Sequence, residues 1–152
     1  MVTCNNEAVP QWTKLNVFDR EFKPFSTDTF ASPQTTTIHF RDWQLLVSTP
    51  EQAFMECLLL APLHYNYLDL YYIMEQLTTL RPEMVLTLLH TTKNYRVKRL
   101  FLYMAEKAGH YWLDEVDVHS IDLGTHKLQL EKAGAYVSKY KLTIPRELYE
   151  YV

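Results

Sequence analysis

Residues 93–112 read KNYRVKRLFLYMAEKAGHYW. Val97, Leu100, Phe101, Met104, Ala105 and Ala108 recur at i, i+3, i+4, i+7, i+8 and i+11, the spacing that gathers apolar side chains on one face of one α-helix. Gly109 supplies the stop, because glycine adopts the left-handed conformation that ends many helices. At 100° per residue, Arg96, Arg99, Tyr103 and Lys107 fall in the arc opposite that series, with Lys98 on a flank and Lys93 just ahead of the helix. The stretch therefore predicts a helix with its Leu-Phe rim in the core and a cationic stripe in solvent. Four of the fifteen basic residues crowd its first turns, where the helix dipole disfavours positive charge. Such a placement suits an anion better than it suits the helix. Lys93, Arg96, Lys98, Arg99, Tyr103 and Lys107 are accordingly the candidate contacts to a nucleic-acid backbone, with Tyr103 bonding phosphate or stacking. The competing reading is a solvated face on which Arg99 or Lys107 pairs with Glu106 or Asp114.

Working outward, three more helices precede this one. STPEQAFMECLLLAP (48–62) offers Ser48 or Thr49 as cap, Pro50 in the first turn and Glu51 near the positive dipole end, and Pro62 stops it. YNYLDLYYIMEQLTTL (65–80) starts from Asn66, and LRPEMVLTLLHTTK (80–93) has Pro82 near its first turn. Ahead of them, TTIHFRDWQLLV (36–47) reads as a β-hairpin turning at Arg41 and Asp42. Residues 1–35 have no helical period, and WTKLNVFDREF (12–22) alternates loosely, which suits leading strands or an extended arm. After Trp112 the runs VDVHSIDLG, HKLQL and YKLTIP are short and β-prone, with turns around Gly124 and Gly134. Strands, four central helices and a small antiparallel C-terminal sheet make an α+β domain.

The 152 residues can bury a core without a metal or disulfide staple. The longest apolar run, AFMECLLLAPL, is too short for a membrane span and carries Glu56, and MVTCNNEAVPQW lacks the features of a signal peptide, so a cytoplasmic protein is expected. Three glycines are too few for a phosphate-cradling loop. No histidine lies four residues from another along a helix, neither Cys4 nor Cys57 has a partner at zinc-ligand spacing, and Cys57 sits among leucines. His110, Asp114, Asp117, His119 and Asp122 span a helix end and a strand start, where polar residues are expected anyway. In IDLGTHKLQLEK the acids Asp122 and Glu131 accompany Lys127 and Lys132, but on a strand Glu131 and Lys132 point to opposite faces, against a metal-dependent nuclease. The expectation is no catalytic residue, no metal and no cofactor. Residues 1–92 hold five basic and ten acidic side chains, residues 93–152 ten and eight, within a net charge of −3. Any nucleic-acid contact is thus a local patch, giving weak, salt-sensitive binding without base readout.

STPEQAFMECL (48–58), LRPEMVLTLL (80–89), KRLFLYMAEKAGHYW (98–112), IDLG (121–124) and KYKLTIP (139–145) together resemble the AbiEi antitoxin family of transcriptional regulators. The likeness covers about residues 44–146, and Lys98, Arg99, Leu100, Phe101 and Leu102 carry its most specific part, with Glu51 and Glu56 in the first helix. It implies one half of a bacterial type IV toxin–antitoxin pair serving abortive infection against phage. The antitoxin counters a nucleotidyltransferase-like toxin, need not form a stable complex with it, and represses the shared promoter. Gln52 stands where the family usually carries arginine. Family members also bear an N-terminal winged helix-turn-helix, which this chain is expected to lack. The expected organisation is then an arm over residues 1–35 and an antitoxin-type C-terminal domain over 36–152, with promoter DNA met through its backbone. The alternative is an interaction or dimerisation module without nucleic-acid binding, using Tyr65, Tyr67, Tyr71 and Tyr72, since tyrosine is enriched at interfaces. Ranked last is a metal-dependent nuclease-like enzyme resting on Asp122.

Overall fold

The computed structural model describes residues 2–4 and 24–152. The run at 12–22 expected to be extended lies outside the described residues. β1 (Val2–Cys4) pairs in parallel with β2 (Pro24–Ser26). β3 (Thr35–Phe40) and β4 (Trp43–Ser48) form the expected antiparallel hairpin, with Phe40 opposite Trp43 and Arg41 at a positive φ in the turn.

Four helices follow: α1 (Pro50–Leu60), α2 (Tyr67–Gln76), α3 (Pro82–Thr91) and α4 (Tyr95–Ala108). The Thr49 hydroxyl caps α1 by accepting from the Gln52 amide, and Asn66 caps α2 by accepting from the Leu68 amide. Asn94 caps α4, accepting from the amides of Arg96 and Val97 at 3.0 and 3.2 Å. Gly109 ends α4 at φ 69°. α4 is the central member, packed by both α1 and α2, and Val97, Leu100, Phe101, Leu102 and Met104 are wholly buried. The Phe101 ring meets Phe54 edge-on at 5.9 Å and Trp112 at 6.1 Å. Burying one such ring stabilises the fold by roughly 1.5–3 kcal/mol.

The carboxy-terminal part departs from expectation in three ways. VDVHSIDLG forms no strand; it holds a 3-10 turn at Val118–Ser120 followed by irregular chain. The sheet that follows is mixed: β5 (Leu128–Gln129) runs parallel to β7 (Leu142–Ile144), and β6 (Ala135–Val137) runs antiparallel on its other side. A short α5 (Arg146–Glu150) closes the chain against α2. The α+β class stands.

Candidate nucleic-acid interface

The structure overturns the expected orientation of the α4 cations. Arg99 is 1% exposed, and its guanidinium donates to the carbonyls of Leu123 (2.7 Å), His126 (2.7 Å) and Lys141 (3.1 Å). Lys98 is buried as well, its Nζ donating to the Asp122 carbonyl at 3.1 Å and lying 5.7 Å from the Tyr95 ring. Burial pushes both cations below their ordinary pKa, and the Asp122 carboxylate pulls partly back. Arg96 reaches across to the carboxy-terminal end of α1, donating to the carbonyls of Leu59 (2.8 Å) and Ala61 (2.6 Å). Lys107 holds the carbonyls of Tyr149 (3.3 Å) and Tyr151 (2.6 Å) at the chain's end. Tyr103 is buried edge-on against Tyr140, and that burial pushes its hydroxyl up to about 12. Lys93 alone of the six is exposed, with Asp28 3.8 Å away.

The physical reason is that helix ends and irregular loops leave carbonyls without ladder partners, and buried carbonyls need donors. α4 meets such carbonyls on the side opposite its apolar series, at Leu59, Ala61, Asp122, Leu123 and His126, and the Lys141 carbonyl there also takes the Leu128 amide at 2.9 Å. Its arginines and lysines supply the donors, with long stems covering apolar surface on the way. Neither of the carboxylates offered as partners takes part: Glu106 instead binds Lys139 and the Tyr140 hydroxyl, both at 2.5 Å.

The first helix holds a second buried polar group. Glu51 takes the Arg81 guanidinium in two bonds and the Arg81 amide in a third, all at 3.0 Å. Burial raises its carboxyl, but those bonds outweigh it and hold Glu51 at about 2. Glu56, also buried, accepts from the Ser48 hydroxyl and from the Gln52 amide at 2.8 Å, so Gln52 supplies a neutral donor at the position where the family usually has arginine. Gln52 also accepts from the Gln34 amide, tying α1 to the chain ahead of the hairpin.

The potential metal ligands are not brought together. Among the described residues no three of His, Cys, Asp and Glu converge. His110 faces the Met74 carbonyl at 2.7 Å and stacks on Trp112, while Asp122 binds the Tyr95 hydroxyl and the Gly124 amide. Burial and the neighbouring Glu56 carboxylate push the Cys57 thiol up, away from a nucleophile's range. Of the four tyrosines proposed for docking, Tyr67 and Tyr71 are buried, and Tyr72 meets Tyr151 edge-on at 5.2 Å. No helix among the described residues is long and apolar enough to cross a membrane.

Exposed positive charge lies elsewhere. Residues 124–146 contain Lys127, Lys132, Lys139, Lys141 and Arg146 against the single acid Glu131. Lys127, Lys132 and Lys141 are exposed and have no carboxylate partner among the described residues. Dividing the chain at residue 93 averages this segment with the acids that flank it; a narrower window over the strand-forming residues would have found it.

No curated protein and no solved structure matches the chain. The family model described as transcriptional regulator, AbiEi antitoxin, type IV toxin–antitoxin system matches residues 1–145, and so includes the leading residues 1–35. With KRLFLY as a central structural helix and the match running over almost its whole length, the chain belongs to the AbiEi antitoxin family of type IV toxin–antitoxin transcriptional regulators.

Proposed function

We propose that this chain is the non-enzymatic antitoxin of a bacterial type IV pair, acting in the cytoplasm. In this reading it opposes a nucleotidyltransferase-like toxin in abortive infection, and residues 36–152 form its antitoxin-type domain. Its own contribution to promoter binding is sequence-independent contact with phosphates. That contact comes from the cations of the C-terminal sheet region, with Lys93 as an outlying contributor, and not from the α4 stripe. The carrying observation is the exposure of Lys127, Lys132 and Lys141 in a segment with one acid, beside the engagement of Arg96, Lys98, Arg99 and Lys107 with backbone carbonyls.

The test is a titration of the full chain with duplex DNA of its own operon's promoter across a range of salt. Lys127→Glu with Lys141→Glu weakens binding and lowers the salt slope by about two, at roughly 0.9 per phosphate contact. Unchanged affinity and slope would remove the sheet region from the interface. Neutralisation is read separately, as rescue of growth when the chain is co-expressed with the toxin encoded beside it.

A further inference from the structure

On β7, Leu142 and Ile144 are buried, so Thr143 between them points to the opposite, solvent side of the sheet. The register sets Gln129 of β5 and Tyr136 of β6 on either side of Thr143. One row across the outer face therefore reads Gln129, Thr143, Tyr136. Tyr136 is 45% exposed and its hydroxyl has no hydrogen bond among the described residues. Lys127, two residues ahead of Gln129, extends over the central strand and sets its ammonium over the Tyr136 ring, 5.2 Å from the centroid, a cation–π contact. An exposed aromatic ring thus lies on a sheet face, with a cation over it, in a segment that holds five basic residues against one acid.

We propose that this face is a stacking site for an unpaired nucleotide: the base takes the place of the Lys127 ammonium over the Tyr136 ring, and the displaced, solvent-exposed Lys127 meets the phosphate. The inference rests on the reading that this segment meets nucleic acid, and it narrows the ligand. Bases inside a duplex are already stacked on one another, so a ring lying on a sheet surface reaches only an unpaired base. Three strands at about 4.8 Å spacing give a face roughly 10 Å wide, enough for about two nucleotides rather than a long track. Affinity is therefore modest and comes from stacking plus charge, with no discrimination between bases. An RNA and a single-stranded DNA segment share this chemistry.

The experiment titrates the full chain with short fluorescent oligo(dT), oligo(rU) and an oligo(dA)·oligo(dT) duplex. Tyr136→Ala weakens both single strands about tenfold or more, the range for loss of one aromatic–base stack. Tyr136→Phe, which keeps the ring, stays within about twofold of the natural chain, and the duplex is affected by neither. In tyrosine-labelled protein, the ring signal missing from Tyr136→Phe moves upfield when oligo(dT) or oligo(rU) is added, which reports stacking even if Tyr136→Ala folds poorly. Tighter oligo(rU) assigns RNA as the source, tighter oligo(dT) assigns DNA, and equal binding assigns the nucleotide face common to both. Single strands that bind Tyr136→Ala as well as the natural chain, or a Tyr136 signal that does not move, overturn the proposal. Duplex binding that still depends on Lys127 and Lys141 would then leave the phosphate reading intact.

Discussion

Arg99 holds three carbonyls from two separate stretches of chain, 123–126 and residue 141, so a single guanidinium ties the loop after Ile121 to the start of β7. Lysine at that position has the charge but not the planar fork. Arg99→Ala leaves the Leu123 and His126 carbonyls without a donor, while the Lys141 carbonyl keeps the Leu128 amide. At about 1–3 kcal/mol for each that water cannot reach, a loss of about 2–6 kcal/mol is expected in urea unfolding. Arg99→Lys should lie between the two, and a loss below about 1 kcal/mol for the alanine variant would show that the carbonyls find water. Glu51 gives a second expectation at this scale, with its sign fixed by the direction of its shift. Its carboxyl is lowered from an ordinary 4.5 to about 2, so its contribution is fully present above about pH 4.5 and is lost as the pH falls towards 2. Glu51→Gln should therefore be less stable than the natural chain at neutral pH and show a flatter fall across that window. Parallel acid-unfolding curves for the two proteins would count against Glu51 as the group responsible.

Elements show why the helices were legible and the chain after them was not. α1 and α2 carry their caps and stops in the residues themselves, as Thr49, Pro50, Pro62 and Asn66, and α4 carries its apolar period and Gly109. A periodicity argument separates apolar from polar faces, and on α4 it assigned the apolar face correctly. It cannot tell a cation turned to water from one turned to a carbonyl, because both occupy the polar arc. The same blind spot explains VDVHSIDLG. Its alternation reads as a strand, yet the carbonyls of Asp122 and Leu123 receive Lys98 and Arg99 instead of a neighbouring strand. The parallel β5–β7 pair was equally hidden, since short alternating runs do not specify which neighbour each joins. Gly134 is the element-scale test of the sheet. A Cβ placed there would collide with the Ile144 carbonyl across the β6–β7 pair, and backbone cannot step aside as a flexible side chain can. Gly134→Ala is expected to cost about 1–3 kcal/mol and to speed amide exchange in Ala135–Val137 more than in α4. Equal protection of both elements in the variant would mean the sheet absorbs the methyl group.

Over the whole molecule, stability is distributed unevenly between the helical body and the hairpin. The body is built around α4, with wholly buried side chains contributed by α1, α2, α3 and β7 as well. The hairpin was legible down to its Arg41–Asp42 turn, but not how little of its apolar surface is covered. Ile38 and Leu45 are 42% exposed and Leu46, on the opposite face, 66%, and among the described residues the hairpin meets the body chiefly where β4 runs into α1. Among the described residues, pairing within the two strands carries most of what holds it, and a two-stranded hairpin with little else to pack on is marginal in water. Its amides should open without unfolding the body. Hydrogen exchange across residues 36–47 is expected at a markedly lower free energy than across Val97–Met104, whose amides open only with the core. Leu46→Ser should change the thermal stability of the body by less than about 0.5 kcal/mol, because the side chain removed is already largely in solvent. Exchange in the hairpin as slow as in α4, or a loss of several kcal/mol from Leu46→Ser, would mean that its outer faces are covered in solution and that the hairpin belongs to the cooperative core.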